Sequence, residues 1–408
     1  MLIKKIIRST LGIKDHCVIR VTGDTTKLVI ELDLITRRKL PCSRCGTRSP
    51  VRDRLSERTW RHVPLWNIPV FIRYRSARVK CPRCGIKVEK IPWSNGKSSL
   101  SKPLSLAMAT WAKRLPMNVV AQIFGVCWNA VYSAVNQVVA YGLSCRSKTG
   151  IIALGIDEIS RKKGHTYLTQ IYDLTRKRLL DSVENRTYES LSSFFKSWGR
   201  ANLNNIKGVC CDMWDPYIKA IKDYIPDAVI VFDKFHLIRQ LLNAVNDVRK
   251  QEAAILKKTN PELLTGTRYI WLKNPWNLTE KQKQRLSYLE KLNLKINRAY
   301  LLKENFRELW ACPNGQEAKK FLDHWFWLAT HSRIPQIRKF AWMVRNHQNG
   351  ILAWFDLPID NGAVEALNNV AKTISHQAKG YRSSKTFSTI LMHCMGKLDS
   401  PNWVHKFA

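Results

Sequence analysis

The sequence predicts a multidomain α/β protein: a cysteine module of short strands, a brief helical segment, an α/β core, and a long all-helical stretch interrupting that core. Three observations carry this reading. Two Cys-x-x-Cys pairs punctuate alternating stretches before residue 95. Between 151 and 232, three strand-like segments are followed by helix, strand, helix and strand. From 236 to 355 the pattern is helical throughout.

Charge narrows the function before any motif does. The 408 residues hold 68 Lys and Arg against 31 Asp and Glu, a net charge of +37, which calls for a polyanionic partner, nucleic acid first. Residues 1–150 carry 28 basic and 7 acidic side chains, and 90–156 carry no acid at all, as suits a segment pressed against phosphates. Eleven cysteines, an odd number, with no apolar secretory stretch in MLIKKIIRST, point to a reducing compartment. The uncharged run 116–143 is long enough to span a membrane, but Asn118, Gln122, Asn129, Ser133, Asn136 and Gln137 would be costly in lipid. No membrane partner is expected.

Residues 1–96 read as a zinc-ribbon DNA-binding domain. Cys42-Ser43-Arg44-Cys45-Gly46 and Cys81-Pro82-Arg83-Cys84-Gly85 are matched knuckles, each aiming two thiolates at one tetrahedral ion, so Cys42, Cys45, Cys81 and Cys84 are expected to hold one structural Zn2+. The glycine after each knuckle is read as relieving crowding near the sulfurs. Arg73 and Arg75, with Arg44, Arg48, Arg52, Arg54, Arg78 and Arg83, make the ribbon basic enough to bind DNA. The other seven cysteines, Cys17, Cys127, Cys145, Cys210, Cys211, Cys312 and Cys394, lack such spacing and read as buried thiols. Residues 94–99 read as a linker.

Residues 97–147 read as helical, broken at Pro116 and Gly125. The segment 118–124, the turn Gly125-Val126-Cys127 and the helix 128–140 have helix-turn-helix proportions. Val119, Val120 and Ile123 are expected to pack on Val131, Val135 and Val138. Asn129, Tyr132, Ser133 and Asn136 then share the outer face, where amides can read base edges, although this helix has no Lys or Arg. An ordinary helical hairpin would give the same pattern.

Residues 148–245 read as the first part of a ribonuclease-H-like core, 246–355 as an all-helical insertion, and 356–408 as the last part of the core. Two-metal phosphodiester cleavage needs carboxylates converging from separate elements. Asp157 lies in the strand Ile151-Ile152-Ala153-Leu154-Gly155-Ile156-Asp157, too apolar to hold a charge without purpose, and Asp212 ends Gly208-Val209-Cys210-Cys211 in the same way. Glu158 is the rival of Asp157, because alternation cannot choose sides on a strand buried on both faces. Asp215, before Pro216, reads as a helix N-cap. Glu365 opens a final helix whose polar face is expected to hold Asn368 or Asn369, Lys372, His376 and Lys379, opposite Val364, Leu367, Val370, Ile374 and Ala378. That face would present an acid to the metals and amides and cations to DNA. The helix is expected to end at Gly380 in a left-handed cap.

At these residues the chain resembles insertion-sequence transposases of the ISL-three type, a bacterial DDE family, over nearly its whole length. The resemblance rests on the cysteine pairs, Gly125-Val126-Cys127-Trp128, Gly155-Ile156-Asp157-Glu158, Asp212-Met213-Trp214-Asp215-Pro216-Tyr217, Leu272-Lys273-Asn274-Pro275, Phe306-Arg307-Glu308-Leu309-Trp310, Asn361-Gly362-Ala363-Val364-Glu365 and Gly380-Tyr381-Arg382. It implies a DNA transposase of the bacterial cytoplasm and nucleoid, binding terminal inverted repeats and target DNA as a homo-oligomer, in the synaptic complex a dimer. Asp157, Asp212 and Glu365 would hold two Mg2+ or Mn2+ ions, with His236 of an Asp-x-x-His element as an auxiliary residue and Arg382 on DNA. Asp360 and Ala366 depart from the family's Thr and Gly, which keeps a catalytically inactive, regulatory DNA-binding protein as the alternative.

Overall fold

The computed structural model describes residues 4–403 apart from 6, 9, 10, 12, 37, 163–165, 360 and 361, so Asp360 and Asn361 lie outside the described residues. The chain forms two compact units, Met1–Ser147 with Ala371–Ala408, and Lys148–Val370.

The first unit begins with seven strands: β1 (His16–Gly23), β2 (Leu28–Leu34), β3 (Leu40–Pro41), β4 (Arg48–Ser49), β5 (Val51–Leu65), β6 (Ile68–Cys81) and β7 (Gly85–Val88). The main sheet runs β1-β2-β6-β5, with β7 on β6, while β3 and β4 pair separately. The expectation of short strands is corrected at β5 and β6, which span 15 and 14 residues. Alternation explains them: Val70, Ile72 and Tyr74 enter a core with Trp60 and Trp93, while Phe71, Arg73 and Arg75 turn away. Bulges in the β5–β6 register at Val51/Asp53, Arg54/Glu57 and His62/Leu65 let so long a hairpin twist.

The segment 94–99 is tied to this sheet rather than free. Arg61 N–H donates to Ser99 O (2.8 Å), Ser101 N–H donates to Arg61 O (2.9 Å), and Ser94 is buried. Helices α1 (Lys102–Ala112), α2 (Met117–Phe124) and α3 (Trp128–Cys145) follow. Ser101 caps α1 through Leu104 N–H, and Gly125 ends α2 with φ +57° while Arg61 donates to Phe124 O (2.8 Å). The predicted packing face of α2 is corrected: Met117, Val120, Ala121 and Phe124 are buried, at i, i+3, i+4 and i+7, whereas Ile123 is 54% exposed. On α3, Val131, Val135 and Val138 are buried as expected. No single helix among the described residues is long and apolar enough to cross a membrane; α2 and α3 pass together only by composition and are bent by 110°.

The second unit holds a five-stranded sheet of β8 (Ala153–Lys162), β9 (Thr166–Asp173), β10 (Arg178–Glu184), β11 (Gly208–Cys211) and β12 (Val229–Phe232). Its order is β10-β9-β8-β11-β12, antiparallel through the first three and parallel from β8 to β12. Helices α4 (Tyr188–Trp198), α5 (Arg200–Leu203) and α6 (Asp215–Tyr224) lie between the strands in sequence. Leu191, Phe194, Phe195, Tyr217 and Ile221 pack with Leu154, Ile156, Val209 and Cys211. Asp215 is the first residue of α6, whose N-cap is Trp214 with no side-chain cap bond, which corrects its reading as the cap.

Then come α7 (Lys234–Leu256), α8 (Arg268–Leu272), α9 (Glu280–Glu290), α10 (Lys295–Arg307), α11 (Gly315–His331), α12 (Pro335–Asn346) and α13 (Gln348–Leu352). They bury their own core, including Trp271, Phe306, Trp325 and Phe340. That core is fastened to β12 where Gly350 meets Phe232: a Cβ there would stand 2.4 Å from the ring. Helix α14 (Gly362–Gln377) contributes residues to both units, and α15 (Ser384–Met395) closes the first. Past α14, Lys379 and Gly380 have φ of +55° and +88°, and Gly380 N–H donates to Ser375 O, the left-handed ending expected there.

Candidate metal centres

The thiolate centre is local. Cys42, Cys45, Cys81 and Cys84 offer sulfurs within 4.8 Å of one another, a metal-sized group among the described residues. Cys45 and Cys81 Sγ are 3.5 Å apart, close to the ~3.8 Å that four sulfurs ~2.3 Å from a tetrahedral ion would show. The glycines work differently from expectation. A Cβ on Gly46 or Gly85 would meet nothing within 4 Å, but their φ values of +75° and +70° are left-handed, so glycine is needed for backbone shape rather than space. Thiolate charges are crowded here. Thr47, through its hydroxyl and its backbone N–H, lowers Cys45 to about 6, and the Cys45 sulfur in turn pushes Cys84 up to about 12. A divalent cation would remove that conflict by favouring all four thiolates. Of the other cysteines only Cys210 and Cys211 are fully buried; Cys127 and Cys145 are exposed, correcting the reading of all seven as buried.

The carboxylate centre is assembled from distant segments. Strand β11 pairs in parallel with β8, Cys210 opposite Gly155, and continuing that register sets Asp212 beside Asp157. His236, in the first turn of α7, lies between them: Nδ1 is 3.4 Å from Asp212, and Nε2 is 3.7 Å from Asp157 and 3.7 Å from Asp233. Arg186, just past β10, forks to Glu158 (3.1 Å) and Asp212 (2.9 Å) and stacks over Trp214 at 4.4 Å. Glu158 shares the strand face of Ile156, toward α4 and α6, whereas Asp157 is on the opposite face and accepts from Asn368 Nδ2 of α14 (2.6 Å). Each acid also has a backbone donor, Glu158 N–H to Asp157 Oδ1 (2.8 Å) and Met213 N–H to Asp212 Oδ1 (2.7 Å).

Electrostatics here favour a cation. Burial pushes Asp157 above the ordinary carboxylate range, Glu158 up to about 7 and Asp233 up to about 6. Burial pushes Asp212 up too, but His236, the Met213 N–H and Arg186 together hold it below its ordinary value. Burial would lower His236, yet Asp212, Asp157 and Asp233 raise it to about 9. Four carboxylates therefore face two cationic side chains, leaving two negative charges when all are ionised, the charge of one divalent cation. Glu365 is exposed in the first turn of α14. Asp157, Asp212 and Glu365 are not a group within 4.8 Å, a spacing that only ligands of a single ion would need.

The other predicted residues are distributed. On α3, Asn129, Ser133 and Asn136 are exposed and Tyr132 stacks on Trp128 at 5.5 Å. Arg73 lies 3.9 Å from Glu57, and Arg75 Nε donates to Leu55 O. Lys372, Lys379 and Arg382 are exposed. On α14 the alternative left open on the polar face resolves to Asn369, which is exposed, while Asn368 is buried; the opposite face is corrected at Val370, which is 45% exposed, because Val364, Asn368 and Ala371 form the packed stripe at i, i+4 and i+7. Arg186 had no sequence signal beyond its place at the end of a strand.

Matches to known proteins cover the residues of both centres. Residues 154–391 match the DDE ISL3 family, described as Transposase, and residues 38–84 match the zinc-finger of transposase IS204/IS1001/IS1096/IS1165. The chain is 27% identical over 423 residues to the transposase for insertion sequence element IS1557 of Mycobacterium tuberculosis, covering 95% of this chain and 94% of that protein. It is also 27% identical over 396 residues to the transposase for insertion sequence element IS1001 of Bordetella parapertussis, covering 95% and 97%.

Proposed function

Because this chain belongs to the ISL3 family of DDE transposases and is a DNA transposase with a zinc ribbon, we propose that Asp157, Asp212 and Glu365 are its catalytic triad. The observation that carries this is the convergence of Asp157, Asp212 and His236 with the helix that bears Glu365, which reaches Asp157 through Asn368. The sheet order, antiparallel then parallel with the first acid on its central strand, supports a ribonuclease-H-like core interrupted by the helices of 246–355. Two Mg2+ or Mn2+ ions, when bound, would activate the attacking oxygen and stabilise the leaving one.

The chain's own residues set the stage for that chemistry. Asp157 and Asp212 present carboxylates side by side, Glu365 would supply the third from the helix, and Arg186 and His236 offset the repulsion between the two part-buried acids. His236 is the auxiliary residue. Water would hydrolyse a phosphodiester at the element end, leaving a 5′ phosphate and a 3′ hydroxyl, and that hydroxyl would then attack a target phosphodiester, forming the new bond as the target strand's own 3′ oxygen leaves.

DNA recognition is assigned to the first unit. The 110° bend between α2 and α3 and their glycine turn support a helix-turn-helix with Asn129, Tyr132, Ser133 and Asn136 toward the terminal repeats. Arg73, Arg75, Lys372, Lys379 and Arg382 would contact phosphates; residues 366–398, like 90–156, contain no acid. The protein would act as a dimer in the synaptic complex, in the bacterial cytoplasm and nucleoid. The test uses DNA carrying the element ends with Mg2+: D157N, D212N and E365Q should bind as wild type and fail to cut. Cleavage by all three variants would overturn the triad.

A further inference from the structure

The packed stripe of α14 contains one polar residue, Asn368, three positions after Glu365. Its amide is 5% exposed and doubly engaged: Nδ2 donates to Asp157 Oδ2 at 2.6 Å, and Oδ1 accepts from the Tyr172 hydroxyl at 2.6 Å. The chemistry fixes this orientation. A carboxylate only accepts, so the amide must turn its NH2 to Asp157, which leaves its oxygen for a donor, and the phenol supplies one. Tyr172 is fully buried on β9 and pairs across the ladder with Gly155, which has no side chain to compete for that face.

We propose that Asn368, oriented by Tyr172, is a positioning residue that locks the Glu365 helix to the strand of Asp157 and fixes the rotation of the Asp157 carboxylate. With Oδ2 held by the amide and Oδ1 steadied by the Glu158 N–H, Asp157 is aimed before any cation arrives. The same bond sets the rotation of α14, and with it the direction in which Glu365 leaves the helix one turn earlier. An amide suits this role because it donates at every working pH. This inference rests on Asp157 being a metal ligand.

The experiment is Mn2+ binding followed by electron paramagnetic resonance on full-length, zinc-loaded protein, beside Mg2+-dependent cleavage of end-containing DNA. N368A should weaken both Mn2+ affinity and cleavage by roughly 10–100-fold while leaving end binding unchanged. Y172F keeps the amide but releases its orientation, and should weaken Mn2+ affinity by roughly 2–10-fold, the worth of one hydrogen bond. If N368A fails to fold, Y172F decides. Wild-type Mn2+ affinity in the folded variants overturns the proposal, whatever their cleavage rates. D157N separates the two ideas: unchanged Mn2+ binding in D157N overturns the triad, whereas loss in D157N with none in N368A and Y172F overturns the positioning role alone.

Discussion

The thiolate centre and the carboxylate centre both hold like charges together, and they do so in different ways. Four cysteines from two tight turns gather their sulfurs within 4.8 Å of one another, with hydroxyls of Thr47 and Ser49 and an apolar cluster around them and no cationic side chain bonded to these sulfurs among the described residues. Asp157 and Glu158 come from β8, Asp212 follows β11 and Asp233 caps α7; His236 and Arg186 bridge them, and Asn368 holds Asp157. The first centre gathers its ligands around one point, while the second is braced by protein side chains. That is the difference expected between a structural metal site and the substrate-admitting site proposed for the acids.

The largest expected effect is therefore on the ribbon. Removing zinc by a chelator, or by C42S with C81S, should unfold residues 38–84 and abolish end binding, since structural zinc is worth ~10 kcal/mol or more. Zinc quantification should return one ion per wild-type chain. Removing Mg2+ should leave the carboxylate region folded by circular dichroism. Asp212→Ala should lower cleavage by roughly 10³-fold, since it removes a proposed metal ligand and strands Arg186 and His236, with zinc content unchanged.

Arg186→Ala sharpens the contrast further, because it leaves part-buried Glu158 and Asp212 without their shared cation; urea unfolding of the metal-free protein should show a loss of about 2 kcal/mol, below the cost for a fully buried pair. The two centres should also respond to pH in opposite directions. Glu158 and Asp233 have folded values near 7 and 6, above their unfolded ones, and His236 is near 9, so without added divalent cation their contribution to stability falls as pH rises from about 5 to 9. The change is on the order of 3 kcal/mol between pH 5 and 8 and should shrink when Mg2+ is added. Zinc binding, which needs thiolates, should instead weaken as pH falls. The smallest effect is Gly46→Ala, about 1 kcal/mol of backbone strain with no clash, read as a small drop in zinc affinity.

What could be read from the sequence followed the same division. The ribbon was legible because its ligands come in two short knuckles with fixed spacing, and the sheet because apolar strands with a charge at their ends stand out. Asp157 and Asp212 belonged to that signal, but Glu158 could be separated from Asp157 only by the neighbours across the sheet, Asn368 on one face and the Ile156 core on the other. The choice between Asn368 and Asn369 is not legible in the sequence, since a helix wheel scores both amides as polar and cannot see the part-buried acid and buried phenol that engage Asn368. Ile123 failed for the converse reason: an apolar side chain one position off the packed stripe remains outside. Arg186 is placed by the end of β10, which no local pattern ties to Asp212.

In the proposed triad Asp157, Asp212 and Glu365 converge on one two-cation site although about 150 residues separate the second acid from the third. Iron-directed cleavage of the polypeptide tests this most directly: Fe2+ with ascorbate and peroxide, on zinc-loaded protein bound to end DNA, cuts the backbone beside the bound ion. Three cuts are expected, near residues 157, 212 and 365, suppressed together by Mg2+ and lost together in D157N. Cuts near 157 and 212 but none near 365, or a 365 cut that survives in D157N, would contradict it.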